Sequence, residues 1–197
     1  MTTLALRCGL RALLASLALG WSGSEAAAQG GATLGPVQVI SLAAARVNTL
    51  TVSIVSGSVQ SIAAVTDNAV NPFPTPVVIS TQWDVNPGQT NSISLVAYFT
   101  TPSQALVGGA VQIPSSRVLG RMSTGLPTTF TPFTQAAVAG AGSAGGSLTL
   151  FSENISGPNK GALTRTDNLD LQLNLVGFPD LPVGTYTGTL NIRAVAQ

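Results

Sequence analysis

Apolar and polar residues alternate with a period of two along much of this chain, and the pattern predicts a series of short strands. In NTLTVSIVSG, Leu50, Val52 and Ile54 alternate with Thr51 and Ser53. In PVVISTQWDV, Val77, Ile79, Thr81, Trp83 and Val85 share one face. The next residues, NPGQ at 86–89, pair a proline that fixes φ with a glycine free to take positive φ. NSISLVAYF then sets Ile93, Leu95, Ala97 and Phe99 in phase, so strand, turn and strand predict a hairpin. SLTLFSENI resumes strand character, and DNLDLQLNLVGF places Leu169, Leu171, Leu173 and Leu175 opposite Asp170, Gln172 and Asn174. From Tyr186 onward the pattern repeats, with Gly188, Leu190, Ile192, Ala194 and Ala196 on the expected core face.

The middle of the chain is less regular. AVQIPSSRVLGRM carries short apolar pieces broken by Pro114 and Gly120 and reads as edge strands or loop, while SQALVGG has room for one helical turn at most. AAVAGAGSAGGS, residues 136–147, reads as a flexible Ala/Gly/Ser loop because its glycines disfavour a helix. About seven to nine strands with turn signals between them predict an all-β, antiparallel β-sandwich. An outer-membrane barrel also alternates, but its aromatic girdles would need more than Trp83, two tyrosines and six phenylalanines.

The first residues change the picture. Arg7 and Arg11 precede an uncharged apolar stretch, Ala12 to Trp21, and Ala26-Ala27-Ala28 follows. This is the layout of a secretory signal cleaved after Ala28. The apolar stretch is half the roughly 20 residues that span a bilayer, so a retained anchor is the weaker reading. Cys8 precedes that stretch, whereas a lipid-bearing cysteine would follow it. The expected organisation is a signal at 1–28 and one sandwich domain at 29–197, placed in the periplasm, at the cell surface or outside the cell. That domain has no cysteine and no histidine. Its charges balance: Arg46, Arg117, Arg121, Lys160, Arg165 and Arg193 stand against Asp67, Asp84, Glu153, Asp167, Asp170 and Asp180. Such a chain has no electrostatic footprint for nucleic acid or an anionic membrane.

Candidate chemistry is sparse. Without histidine or cysteine the common nucleophile–base pairs and zinc, haem or iron–sulfur ligand sets cannot be assembled. Paired carboxylates are the remaining catalytic option, and Asp167 and Asp170 are the nearest pair, with Asp170 expected to face solvent from the polar side of a strand beginning at about Leu169. Asp84, Asn86 and Gly88 are spaced like the start of a calcium loop, but Gln89 and Leu95 stand where that loop needs glycine and glutamate. Asn154 opens an Asn-Ile-Ser acceptor triplet. NPFPTP, residues 71–76, reads as a rigid connector, with polyproline recognition as the other reading. Trp83, in phase with the apolar face, reads as a core anchor. The expectation is therefore no catalytic, cofactor-binding or metal-binding residues.

The stretch Pro182, Gly184, Thr185, Tyr186, Thr187, Gly188 and Thr189, continuing through Leu190 and Ile192, resembles the last strand of small exported bacterial domains with an immunoglobulin-like sandwich. The spore-coat-protein-U-like and chaperone–usher pilin-type families are examples. The resemblance covers this segment and a general strand rhythm. It departs from the pilins in lacking a disulfide. It implies an immunoglobulin-like fold, a tyrosine corner at Tyr186, and a sandwich completed by an extended segment from a neighbouring subunit. GPVQVISLAAA, residues 35–45, reads as the first strand of its own sandwich, and donation to a neighbour is the alternative. The expected function is an exported, non-enzymatic structural or surface protein, a pilin-like or matrix subunit that pairs with itself or other surface proteins by strand addition. The alternative is a monomeric secreted binding module for carbohydrate or protein, using loops such as 71–76 or the turn at Thr101-Pro102.

Overall fold

Turn residues cut the chain into strands shorter than the alternation alone predicts. The computed structural model describes residues 31–41, 49–85, 92–156 and 161–197. The expected signal at 1–28, the NPGQ turn and residues 42–45 of the first predicted strand lie outside the described residues. β1 (Ala32–Leu34) and β2 (Gln38–Ser41) are separated at Gly35-Pro36, where proline has no N–H for a ladder. β3 (Thr49–Ser56), β4 (Gln60–Ile62), β5 (Val70–Pro72), β6 (Val77–Asp84) and β7 (Ser92–Tyr98) follow. A 3-10 turn at Pro102–Gln104 leads into β8 (Leu106–Gly108) and β9 (Val111–Ile113), a tight hairpin in which Gly109 takes φ +58°. A second 3-10 turn, Ser115–Arg117, precedes β10 (Val118–Met122), and β11 (Thr131–Pro132) is a two-residue piece. β12 (Ser147–Asn154), β13 (Leu163–Asn174), β14 (Tyr186–Gly188) and β15 (Asn191–Ala196) complete the described strands.

Against the seven to nine strands expected, the described residues form fifteen. The surplus consists mostly of three-residue strands, too short for alternation to mark, and of long segments bent once along their length.

These strands form an all-β arrangement consistent with a β-sandwich. One sheet has the order β11-β10-β13-β6-β3, with β5 also on β13; a second runs β12-β7-β15-β2; a third, of five three-residue strands, runs β4-β1-β14-β8-β9. Pairing is antiparallel except where the chain's first and last strands meet. There β1 runs parallel to β14 and β2 parallel to β15. The two parallel pairs are one ribbon, bent once: Gly35 N–H donates to the Gly188 carbonyl at the bend, and Gln38 N–H to the Leu190 carbonyl beyond it (3.2 Å). Residues 38–41 of the first predicted strand therefore pair with this chain's own β15.

The predicted hairpin at 77–99 is a correction. β6 pairs with β3 and β13, whereas β7 pairs with β12 and β15 in the other sheet. The chain crosses between layers there. Alternation identifies a strand and its inward face but not its partner, and a turn can close a hairpin or arch between sheets.

The core faces come out as read. Val77, Ile79, Thr81, Trp83 and Val85 are all buried, as are Ile93, Leu95, Ala97 and Phe99, and Leu169 to Leu175 at every second position. They join Leu190, Ile192 and Ala194 in one cluster. Two strands exceed the expectation. Val96 of β7 and Val195 of β15, both on the supposed polar faces, are buried too. Part of the cover over that second face comes from the 136–147 segment. Val138 and Ala141 exchange backbone hydrogen bonds (2.8 Å each), and the Ser147 hydroxyl accepts from Ser143 N–H and donates to its carbonyl (2.8 and 2.7 Å). Arg193 on β15 reaches this segment, donating from Nη1 to the Gly140 carbonyl (3.1 Å).

Two side chains of the core give opposite predictions. The Thr81 hydroxyl is fully buried and has no hydrogen-bond partner among the described residues. Thr81→Val, nearly the same shape, removes that unmet group and should raise stability by about 1 kcal/mol in urea unfolding. The Tyr186 hydroxyl donates to the Pro182 carbonyl four residues upstream (2.8 Å), so Tyr186→Phe should cost about 1 kcal/mol. Burial raises the Tyr186 phenol above its ordinary value, and the charge of Asp67 adds to the rise. The folded chain holds this proton more tightly than the unfolded one. The resulting stability is complete below pH about 10 and is lost as the pH rises through the raised folded value, a slope that Tyr186→Phe should remove.

Candidate functional site

β13 extends further than the leucine stripe predicts, starting at Leu163 rather than near Leu169. Its odd-numbered positions face the core, so Arg165 and Asp167 continue the line of Leu169, Leu171 and Leu173. β10 pairs with 169–173, and among the described residues no strand lies beside the first half of that edge of β13. Residues 123–125 pack there instead. Ser123 N–H donates to the Asn168 carbonyl (3.0 Å), and Gly125 takes φ +123°, with Arg165 Nη2 2.9 Å from where a Cβ would stand.

The charged cluster at this position is fully connected. Arg165 Nε donates to Asp167 Oδ2 (2.7 Å) and Nη2 to the Thr124 carbonyl (2.8 Å). Nη1 lies 3.4 Å from Glu153 Oε2 on β12, and the guanidinium sits 4.5 Å from the centre of the Phe151 ring. The second Asp167 oxygen accepts from the Thr124 hydroxyl (2.6 Å). The Asp167 hydrogen bond raises the Arg165 guanidinium above its ordinary value, against the opposing effect of burial, with the charges of Asp167 and Glu153 adding to the rise.

The strand expected from about Leu169 thus starts six residues earlier and takes in Asp167, whose side chain is fully buried. Asp170 lies on the other face of β13, partly exposed and paired with Arg121 Nη2 at 2.8 Å. Three residues apart on a strand, the two carboxylates point in opposite directions and form no pair. TRTD was the missed signal. A strand begun at Leu163 puts Arg165 and Asp167 in phase with the leucines.

The other residues singled out are dispersed. Asn86 and Gly88 lie outside the described residues, and Asp84 ends β6. Asn154 is exposed at the end of β12. The 71–76 segment is anchored: Asn71 is buried, accepting from Thr66 N–H (2.7 Å) and donating to the Thr66 carbonyl (3.0 Å), and Phe73 is buried. Thr101 precedes the first 3-10 turn and is exposed. Trp83 is 4 % exposed, as a core anchor requires. Among the described residues, no three His, Cys, Asp or Glu side chains gather as metal ligands, and no helix is long and apolar enough to cross a membrane.

Two concave places mark the surface. A cleft of about 390 Å³ lies beside β12, between Leu126, Pro127, Thr131, Gln135, Thr149 and Phe151. A depression of about 330 Å³ lies where β3, β6 and β13 meet, lined by Thr49, Thr51, Gln82, Asp84, Leu163 and Thr164. No family model matches this chain, and no curated protein matches it in sequence.

The two ion pairs of β13 should differ sharply when broken. Asp167→Asn leaves a partly buried guanidinium facing an amide and removes a fully bonded, buried carboxylate, and should cost about 2 kcal/mol in urea unfolding. Asp170→Asn opens a pair that solvent already screens and should cost less than about 1 kcal/mol. Equal losses would show that Asp167 is not the anchor of this cluster.

Proposed function

We propose that the chain is an exported, non-enzymatic structural or surface protein that assembles through the edges of its sheets. One observation carries the reading. Among the described residues β2 is an edge strand with one ladder partner, β15, to which it runs parallel over Gln38–Ser41. A short segment held by a single neighbour is a low-cost element for identical subunits to exchange, because the same contacts are remade between chains. The pilin-like resemblance of the 182–192 segment points the same way, since it implies a groove beside the last strand filled by an extended segment.

The Tyr186–Pro182 hydrogen bond supports an immunoglobulin-like assignment, in which such a tyrosine pins the turn before its strand. The opposed directions of Asp167 and Asp170, each held by an arginine, favour a role without catalysis. Export rests on the 1–28 segment, and the balanced charge of 29–197 favours protein or neutral partners over nucleic acid.

Gln38 and Asn191 are register partners in the parallel pair, and 29–197 has no cysteine of its own. A Gln38→Cys/Asn191→Cys variant, held at high concentration and then oxidised, therefore reports which chain supplies the strand. Disulfide-linked dimers and higher species on non-reducing gels are the expected result. A monomer linked only within itself, at every concentration, overturns assembly by strand exchange.

A further inference from the structure

We infer that the solvent face of β3, β6 and the first half of β13 binds a neutral oligosaccharide. Strand register builds this face in rows. Thr51 stands opposite Gln82, and Gln82 opposite Thr164. Thr49 and Asp84 make the row on one side; Ser53, Ser80 and Thr166 make the row on the other. Neighbouring strands lie about 4.8 Å apart and successive rows about 7 Å apart, so each full row sets three polar groups across roughly 10 Å. The 330 Å³ depression sits over the first two rows, and its volume falls within the range of small-ligand sites.

The chemistry of the face selects the ligand class. Sugar hydroxyls donate and accept at once, and they are best met by groups that do the same. Threonine hydroxyls and the Gln82 carboxamide do so, while the Asp84 carboxylate accepts from a pair of hydroxyls. Among the described residues, no hydrogen bond or ion pair within the protein engages the side chains of Thr49, Thr51, Gln82, Asp84 or Thr164. Water satisfies them, and a polyol can replace that water bond for bond. Among the described residues none that lines the depression is basic and Asp84 is its one charge, which disfavours an acidic polysaccharide. The same sheet has its exposed ion pair, Arg121–Asp170, on the β10 side of β13.

This site uses the face of the sheet and not the β2 edge, so it stands or falls separately from assembly. The test is affinity chromatography of the full exported chain on columns of an immobilised neutral glucan or mannan, beside a column of immobilised polygalacturonate. Retardation by a neutral glycan, but not by polygalacturonate, is expected. Gln82→Leu/Thr164→Val should weaken it by roughly tenfold, equivalent to about 1.4 kcal/mol, with an unchanged melting temperature. Arg121→Gln, on the charged half of the sheet, should leave it unaltered. If the double variant melts early, Thr164→Ala alone gives the same readout with a smaller shift. No retardation by any neutral glycan, retardation indifferent to these substitutions, or stronger retardation by polygalacturonate would each overturn the site.

Discussion

The seating of β15 between β7 and β2 is the constraint on which the rest of the fold depends. Its ladder to β7 runs along Asn191–Ala196, and its ladder to β2 along Asn191–Ala194. Ile192 and Ala194 enter the core on one face, while Asn191 and Val195 are buried on the other. A strand with neighbours on both edges and cover on both faces has few open hydrogen-bonding groups and little apolar surface left to solvent. β14 prepares this seating. Tyr186 packs into the core and its hydroxyl ties to Pro182, fixing the path by which the chain enters the parallel ribbon with β1. Gly188 sits so close to the Ala105 carbonyl that no side chain fits at this point of the bend.

At the opposite flank, where β13 outruns β10, the leucine stripe gives way to Arg165 and Asp167. Leucines there would lie under a loop rather than a sheet. The ion pair instead bonds the backbone of that loop, stacks on Phe151 and reaches Glu153 across to β12, linking the sheet of β13 to the sheet of β12. Burying Asp167 is tolerable because both its oxygens are engaged.

Much of the core was legible because period-two alternation is a direct record of which face is buried. Val77 to Val85 and Leu169 to Leu175 fell where alternation put them. Three things were not legible, each for a physical reason. Partner choice failed at 77–99, because a turn does not record which sheet its second strand joins. Val96 and Val195 broke the alternation because their second faces are covered, and apolar residues on both faces look alike whatever the cover is. The burial of Asp167 was not read because a charged residue in a polar run hides its phase, which only the frame of the longer strand reveals. The hydroxyl rows of Thr51, Gln82 and Thr164 were likewise invisible before register placed three distant segments side by side. Function was the least legible, since a chain without histidine or cysteine in 29–197 offers few residue types whose chemistry announces itself.

The seating of β15 has a direct reading in native-state hydrogen exchange. If β15 is the shared ladder of the sandwich, the Ile192 and Ala194 amides exchange only when the whole domain unfolds, with the same free energy as the core of β7 and β13. Exchange of those amides by a local opening several kcal/mol below the global value, with β7 and β13 still protected, would contradict it.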